Sequence, residues 1–300
     1  MSPILATLYL LCMVFLPSFG LYVLIKDWRA RVSRLFGLLT FALLGWVATL
    51  FAFSLLVSPL PLLLVGRLNF AAMAFVVTIA FLFSREIAGR QVRFVSLLWL
   101  ETWIVALASA FTPWIDRAES ISSAGIHVTG YGTAFPLYVA HILVFVAAAL
   151  ATAFLPPSGL SRERIIQLRA VGTGILGTAV VSLLTNLILP YAFGNFDFIH
   201  VGTISTILFL GAAGYAVFAY HLFDIRVAIR ATFVYGGLVA LALELYSLSL
   251  TALAKILPLG VPGERETAAT TTVLVINAFT QEPIRKWLGG IVGLKRKHAR

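Results

Sequence analysis

Charged side chains are scarce in this 300-residue sequence, where Asp, Glu, Lys and Arg together make up only 11% of the residues. A soluble domain carries roughly 25% charged and about 45–50% apolar residues. Here hydrophobic residues reach 60%, and the mean hydropathy is +0.99. This composition excludes an ordinary soluble domain and predicts an integral membrane protein.

Cysteine and the familiar enzyme motifs are also nearly or wholly missing. The one cysteine, Cys12, excludes an intramolecular disulfide and a cysteine metal cluster. The sequence has no phosphate-binding loop, dinucleotide-binding glycine motif, nucleophile elbow or His-Glu-x-x-His helix. The five histidines lack the spacing of metal ligands. We therefore predict a protein that is not an enzyme and that has no cofactor and no metal site.

Apolar runs of about 20 residues, the length that spans a bilayer as a helix, dominate the chain. They predict an all-α polytopic transmembrane bundle of about nine spans, the sixth of which is stopped by Pro190. The predicted spans are residues 3–25, 35–57, 62–84, 94–111, 136–154, 170–189, 199–220 and 232–257, and a shorter one at 267–279.

The distribution of basic residues predicts the orientation. With the N-terminus outside and nine spans, every Lys and Arg falls on the inner side except Arg67, Arg117, Lys255 and Arg265. The formal charge of +10 is therefore explained by membrane topology and phospholipid contacts, and nucleic acid is not a predicted partner. We predict a multi-pass protein of a bacterial cytoplasmic (inner) membrane, with its C-terminus in the cytoplasm.

Four segments follow from this layout: a seven-helix bundle at 1–220, a cytoplasmic junction at 221–230, a transmembrane hairpin at 231–279 and a basic amphipathic tail at 280–300. The longest polar connection, 112–135, is predicted to be a loop. Aromatic residues on the outer side of the membrane are predicted to anchor the chain at the membrane interface. They are Trp114, Tyr131, Tyr191 and Phe193.

Ionisable and amide side chains inside the apolar runs are the candidates for a ligand or proton site. Such residues are costly in a bilayer, so they are protonated, paired or exposed to a wet cavity. A single hydrogen bond between helices is the simpler alternative for the two glutamates, and an arginine near a helix end can extend to the interface. The candidates are Glu101, His141, Glu244, Asn186 and Arg67.

The tail combines an apolar helical face with positive charge. Apolar side chains recur at helical spacing from Ile284 through Trp287 to Ile291. This pattern predicts a helix that lies on anionic phospholipid or docks a protein partner. The residues assigned to that contact are Arg285, Lys286, Trp287, Lys295, Arg296 and Lys297.

The junction carries a family resemblance. Residues 220–230 read Tyr-His-Leu-Phe-Asp-Ile-Arg-Val-Ala-Ile-Arg, 233–237 read Phe-Val-Tyr-Gly-Gly, and 278–288 read Ala-Phe-Thr-Gln-Glu-Pro-Ile-Arg-Lys-Trp-Leu. This pattern resembles the N-terminal seven-helix membrane sensor region of bacterial sensor histidine kinases. The resemblance implies that the junction transmits a signal through His221, Asp224, Arg226 and Arg230.

Kinases of that family continue into a phosphoacceptor helix and an ATP-binding domain, and neither has a counterpart in these 300 residues. The resemblance therefore implies a sensor without kinase activity, which binds a small or apolar ligand and signals to a kinase, a response protein or a larger membrane complex. A structural or accessory subunit of a membrane assembly is one alternative. A secondary transporter is another, although paired Gly/Pro interruptions in two halves are missing.

Overall fold

The computed structural model describes residues 3–56, 58–122 and 127–220, which are mostly helical. Within these residues, five helices are long and apolar enough to cross a membrane, and two shorter apolar helices accompany them at Val95–Phe111 and Ile199–Ala213. This confirms a helical, multi-pass membrane protein. The helical elements are α1 (Pro3–Lys26), α2 (Arg31–Leu55), α3 (Pro59–Ile87), α4 (Val95–Phe111), α5 (Phe135–Phe154), α6 (Arg162–Ser182), a π-helical segment (Leu183–Ile188), α7 (Leu189–Phe193), α8 (Ile199–Ile204) and α9 (Thr206–Tyr220).

Helix α3 lies at the centre of the described bundle. It packs against α2 on one side and against α4 and α5 on others, while α6 packs against α5 and α9. Small side chains permit this packing, as at Gly174, where a Cβ atom would lie 2.7 Å from the Cβ of Ala212. The core between α3, α4 and α5 is built from Ala71, Ala74, Val77, Ala106, Ala110, Phe135, Tyr138, Ile142 and Phe145.

The two ends of the bundle differ in charge. Of the Lys and Arg residues within 3–220, only Arg67 and Arg117 lie at the end of the bundle where α3 begins and α4 ends. We call this the hairpin end. The opposite end, where α1, α3 and α5 end, is called the basic end. It carries the other basic residues, which are Lys26, Arg29, Arg31, Arg34, Arg85, Arg90, Arg93, Arg162, Arg164 and Arg169.

The connection predicted to be a loop is a β-hairpin, which departs from an all-α fold. Strands β1 (Asp116–Ile121) and β2 (His127–Tyr131) pair antiparallel, with Glu119 opposite Thr129. An irregularity in the register lies between Asp116 and Ala118. The β-branched residues of β2 favour a strand, and β1 packs against α3. The hairpin thereby gains partners that a solvated loop would lack.

Pro190 does not end the sixth helix, contrary to the sequence prediction. Helix continues through it to Phe193, because the turn before it widens into the π-helical segment, in which the amide N–H of Leu189 donates to the carbonyl of Leu184. Proline has no N–H to donate, and its ring collides with the carbonyl four residues earlier in a regular helix. The wider turn relieves that collision at Asn186 and rotates the side chains of the segment.

Candidate functional site

A cavity of about 110 Å³ lies at the hairpin end between α2, α3, α5 and the π-helical segment. Its wall is mostly apolar and includes several aromatic rings and a small set of polar groups, which is the usual composition of a small-molecule site. The aromatic lining residues are Trp46, Phe53, Phe70, Tyr131, Phe135, Tyr138 and Phe196. The polar ones are Asn69, Glu119, Thr129, Ser182 and Asn186.

Two carboxyl groups from β1 meet at the rim of this cavity. Asp116 is fully buried, and Glu119 is only 7% exposed. Both reach the surface of α3 at Gly66, where a Cβ atom would lie 2.7 Å from Glu119 Oε1 and 3.0 Å from Asp116 Oδ2. Only glycine leaves that space, so the absence of a side chain at this position lets the acids dock against the helix.

The neighbours of the two acids are unequal. The hydroxyl of Thr129 lies 2.9 Å from one oxygen of Glu119 and 3.1 Å from the other. The carboxyl group of Asp116 contacts that of Glu119 and the backbone of Ala118. Arg67 lies beside Asp116 and donates from Nε to its backbone carbonyl at 3.1 Å. Arg67 therefore supplies positive charge next to Asp116.

These surroundings give the two carboxyl groups different pKa values. Burial raises the pKa of Glu119 well above its ordinary value, and the neighbouring charge of Asp116 raises it further. Burial also raises the pKa of Asp116, but Arg67 opposes that shift. Glu119 therefore keeps its proton to a higher pH than Asp116 does, and the group that borders the cavity is a neutral carboxylic acid.

Asparagine side chains shape the helical wall of the cavity. Asn69 Nδ2 donates to the carbonyl of Trp46 at 3.0 Å and to the hydroxyl of Thr49 at 2.9 Å. On the opposite wall, Asn186 accepts from the hydroxyl of Thr185 at 2.8 Å. Asn186 belongs to the π-helical segment, so the distortion of this helix directly shapes the lining.

A second polar contact joins three helices below the cavity. Nδ1 of His141, on α5, lies 2.7 Å from Oε1 of Glu101, on α4. Its Nε2 lies 3.2 Å from the carbonyl of Ala74, on α3. The side chain of His141 is 2% exposed and that of Glu101 is 44% exposed. Since the Ala74 carbonyl can only accept, Nε2 carries a proton, and a second proton is shared between Nδ1 and Glu101.

A smaller apolar cavity of about 50 Å³ continues toward the basic end. The two cavities share part of their lining, namely Met73, Val146, Ala179 and Ser182. Ser182 lies directly before the π-helical segment and donates to the carbonyl of Gly202 at 2.9 Å. The interior of the bundle is therefore loosely filled along a line that begins at the acidic pair.

The sequence-predicted site residues fall into three groups. Glu101 and His141 are in contact with each other, Asn186 lines the cavity, and Arg67 contacts the hairpin. Tyr131, predicted to be an interface anchor, lines the cavity. The remaining predicted residues lie outside the described part of the chain: Glu244, His221, Asp224, Arg226, Arg230, Arg285, Lys286, Trp287, Lys295, Arg296 and Lys297.

Asp116 and Glu119 are the site residues that sequence reasoning missed. In a connection interpreted as a loop, an acid is expected to face water. The alternation of His127, Thr129 and Tyr131 on one face of a strand could have indicated a hairpin with a buried side. Within the described ranges, no three His, Cys, Asp or Glu side chains are grouped to hold a metal ion.

No known family model matches this chain, and no curated protein matches it.

Proposed function

We propose that the chain is a membrane-embedded receptor that binds a small ligand in the cavity at the hairpin end and passes a conformational signal across the bilayer. The observation that supports this proposal is the cavity with its aromatic rings and a buried carboxyl group at its rim. A structural helix packing has no need for such a space, because cavities and buried acids both destabilise a bundle. The excess of basic residues at the opposite end supports an orientation with the hairpin end outside.

Two parallel contacts between α5 and α3 supply a route for the signal. The hydroxyl of Tyr138 donates to the carbonyl of Phe70 at 3.1 Å, and one turn further along both helices His141 contacts the carbonyl of Ala74. Tyr138 and Phe70 line the cavity, and His141 also holds Glu101 of α4. A ligand that displaces the first contact changes the alignment of α3 and α5, and His141 then carries the change to α4.

We also infer nine spans in a bacterial inner membrane. A junction at 221–230 carries the conformational change to the cytoplasmic side, and a basic tail at 280–300 binds anionic lipid or a protein partner. The junction and the tail are inferred from the sequence resemblance and the charge pattern alone. The partner is a kinase, a response protein or a larger membrane complex.

Distance measurement between α4 and α5 tests the signal route. Spin labels at the exposed positions Leu107 and Leu143 report on the two helices without entering the cavity. The full chain in nanodiscs is first screened for small molecules that raise its melting temperature. We expect a ligand found in this way to change the distance distribution, and the change to vanish in His141→Leu.

Two outcomes would overturn the receptor proposal. One is a bound ligand that leaves the label distance unchanged. The other is a stable, stoichiometric membrane partner that copurifies with a chain whose melting temperature no small molecule raises, which favours the accessory-subunit alternative. A truncation after Tyr220 tests the junction separately, because a receptor that still activates its partner without residues 221–300 has no transmitting junction.

A secondary transporter is the second candidate, and the π-helical segment favours it. Transporter sites lie where a membrane helix is interrupted, and here the interruption before Pro190 faces one cavity and adjoins another. Substrate flux into proteoliposomes that is lost in Glu101→Gln would establish transport. Binding without flux favours the receptor.

A further inference from the structure

We propose that the cavity binds a small alkylammonium ion, whose positive charge replaces the proton on Glu119 and pairs with the resulting carboxylate. The inference deepens the proposed receptor function and rests on it. It assigns the chemical class of the ligand from the charge and the aromatic surface that surround the cavity.

The charge of the lining excludes an anion. Among the described residues that line the cavity, none is Lys, Arg or His, and Glu119 is the one carboxyl group. Arg67 is engaged by the backbone carbonyl of Asp116 and lies nearest that acid. With Arg67 and Asp116 balancing each other, Glu119 is the group whose charge has no counter-ion. An ammonium ion would supply it.

The aromatic rings supply the second half of the recognition. A cation near the face of Trp, Tyr or Phe is attracted by the ring, and aromatic cages recognise methylated ammonium groups in this way. Seven aromatic residues line this cavity, including Trp46, the most favourable ring type. Their apolar surface accommodates the alkyl part, while Asn69 and Asn186 can hydrogen-bond a substituent.

Asp116 adds to the need of Glu119 for a cation. It is fully buried and contacts the carboxyl group of Glu119, so loss of the Glu119 proton places a second negative charge beside it. Both acids converge on Gly66, which lines the cavity. When Arg67 and Asp116 are charged, loss of the Glu119 proton changes the net charge of the site from zero to −1. A bound cation restores it to zero.

Proton release follows from the exchange. The O–H bond of Glu119 breaks, its proton passes to the buffer, and the ammonium ion takes its place beside the carboxylate. Other titratable groups lie on or beside the hairpin. Arg67 supplies a positive charge beside Asp116, burial keeps Tyr131 neutral by raising its pKa, and burial lowers the pKa of His127 so that it is neutral above pH 7. Tyr191 faces Tyr131, His200 lies near His127, and Arg117 belongs to β1.

Calorimetry on the full chain in nanodiscs tests the inference with two matched probe pairs. Choline is compared with 3,3-dimethylbutan-1-ol, and phenethylammonium with 2-phenylethanol, because each alcohol has nearly the shape of its cation without the charge. We expect each cation to bind at least about tenfold more tightly than its alcohol at pH 8. We also expect its affinity to rise by about tenfold per pH unit between pH 7 and 8, with one proton released.

Variants identify the groups responsible. Glu119→Gln keeps an acceptor for Thr129 and should remove both the proton release and the preference for cations. Asp197→Asn removes an exposed acid at the same end of the bundle and should change neither. Phe70→Leu keeps apolar volume and should weaken the cations several-fold while leaving the alcohols unaffected.

Three results would overturn the inference. Alcohols that bind as tightly as their cations would leave a receptor with a neutral ligand. A pH slope that survives in Glu119→Gln would assign the proton to another group. Binding of neither probe pair would reject the ligand class, and the receptor proposal would then be judged by the small-molecule screen and the α4–α5 distances.

Discussion

Replacing Glu101 by alanine removes the carboxylate that lies 2.7 Å from Nδ1 of His141. The ring cannot rotate to find another partner, because its Nε2 is held by the Ala74 carbonyl and the side chain is only 2% exposed. Leaving a buried polar group unpaired costs about 1–3 kcal/mol in proteins. Hydrogen bonds between membrane helices average about 0.6 kcal/mol, with a maximum near 1.7.

The position of Glu101 on the surface of α4 decides where in this range the change falls. Its side chain is 44% exposed, so its removal leaves little buried space empty, and the lost hydrogen bond to His141 sets the cost. We expect Glu101→Ala to lower the free energy of unfolding by about 1 kcal/mol. Glu101→Gln should cost less than about 0.5 kcal/mol, because its amide can donate to Nδ1 while Nε2 still donates to Ala74.

Reversible unfolding of the full chain in mixed micelles measures these differences. A double-mutant cycle with His141→Ala isolates the contact, and we expect a coupling energy of about 1 kcal/mol. Leu97→Ala, on the exposed face of the same helix, serves as the control and should show no coupling with His141→Ala. Additive effects in the cycle, or a Gln variant as unstable as the Ala variant, would refute the hydrogen-bonding account.

Four further predictions concern the cavity, the hairpin and the tail. Gly66→Ala should displace the hairpin and abolish ligand binding in calorimetry, because the new Cβ would lie 2.7 Å from Glu119. Gly45→Ala is the control: its nearest contact would be at 3.8 Å, so it should be neutral or stabilising by up to about 1 kcal/mol. Glu119→Gln should gain stability over the native chain as pH rises from 5 to 8, by at most about 1.4 kcal/mol per unit, in melting experiments. The sign follows because burial and the neighbouring carboxylate of β1 raise the pKa of Glu119, so the folded state holds a proton that the unfolded state releases above its ordinary pKa. Pro190→Ala should allow a regular helical turn and weaken ligand binding without loss of stability, and normal affinity would contradict the role of the π-helical segment. In a variant with the other five tryptophans replaced, Trp287 should show blue-shifted fluorescence that is shielded from aqueous quenchers in anionic vesicles. A fully quenchable signal would indicate a tail that is free in water.

Helices could be predicted from this sequence because bilayer thickness fixes the length of an apolar run. The pairing of Glu101 with His141 could not, although both residues were recognised as unusual. A contact between them depends on the rotation of α4 and α5 and on their common neighbour α3, and hydropathy contains no information about rotation. Each side chain alone allowed several partners, and only the packing around Ala74 selected one.

The acidic pair escaped prediction for a different reason. Asp116 and Glu119 lie in a polar connection, where a solvated acid is the ordinary expectation. Their burial depends on Gly66, about fifty positions earlier in the chain, and on a strand whose pairing partner is separated from it by residues 122–126. Local sequence rules treat a glycine in a helix as a weak point, whereas its value here comes from a contact with another element.

Two failures of sequence reasoning in the described chain, at the hairpin and at Pro190, lie around the same cavity. The hairpin predicted to be a loop contributes Glu119 and Tyr131 to the cavity, and the helix predicted to stop at Pro190 contributes Asn186 from its widened turn. Natural sequences follow local rules through most of a fold and break them where function requires a costly arrangement. A buried acid, a distorted helix and an unfilled space each reduce stability, so their coincidence around one volume is difficult to attribute to packing alone. This coincidence is independent of the resemblance at the junction, and it directs the search for a ligand to the hairpin end.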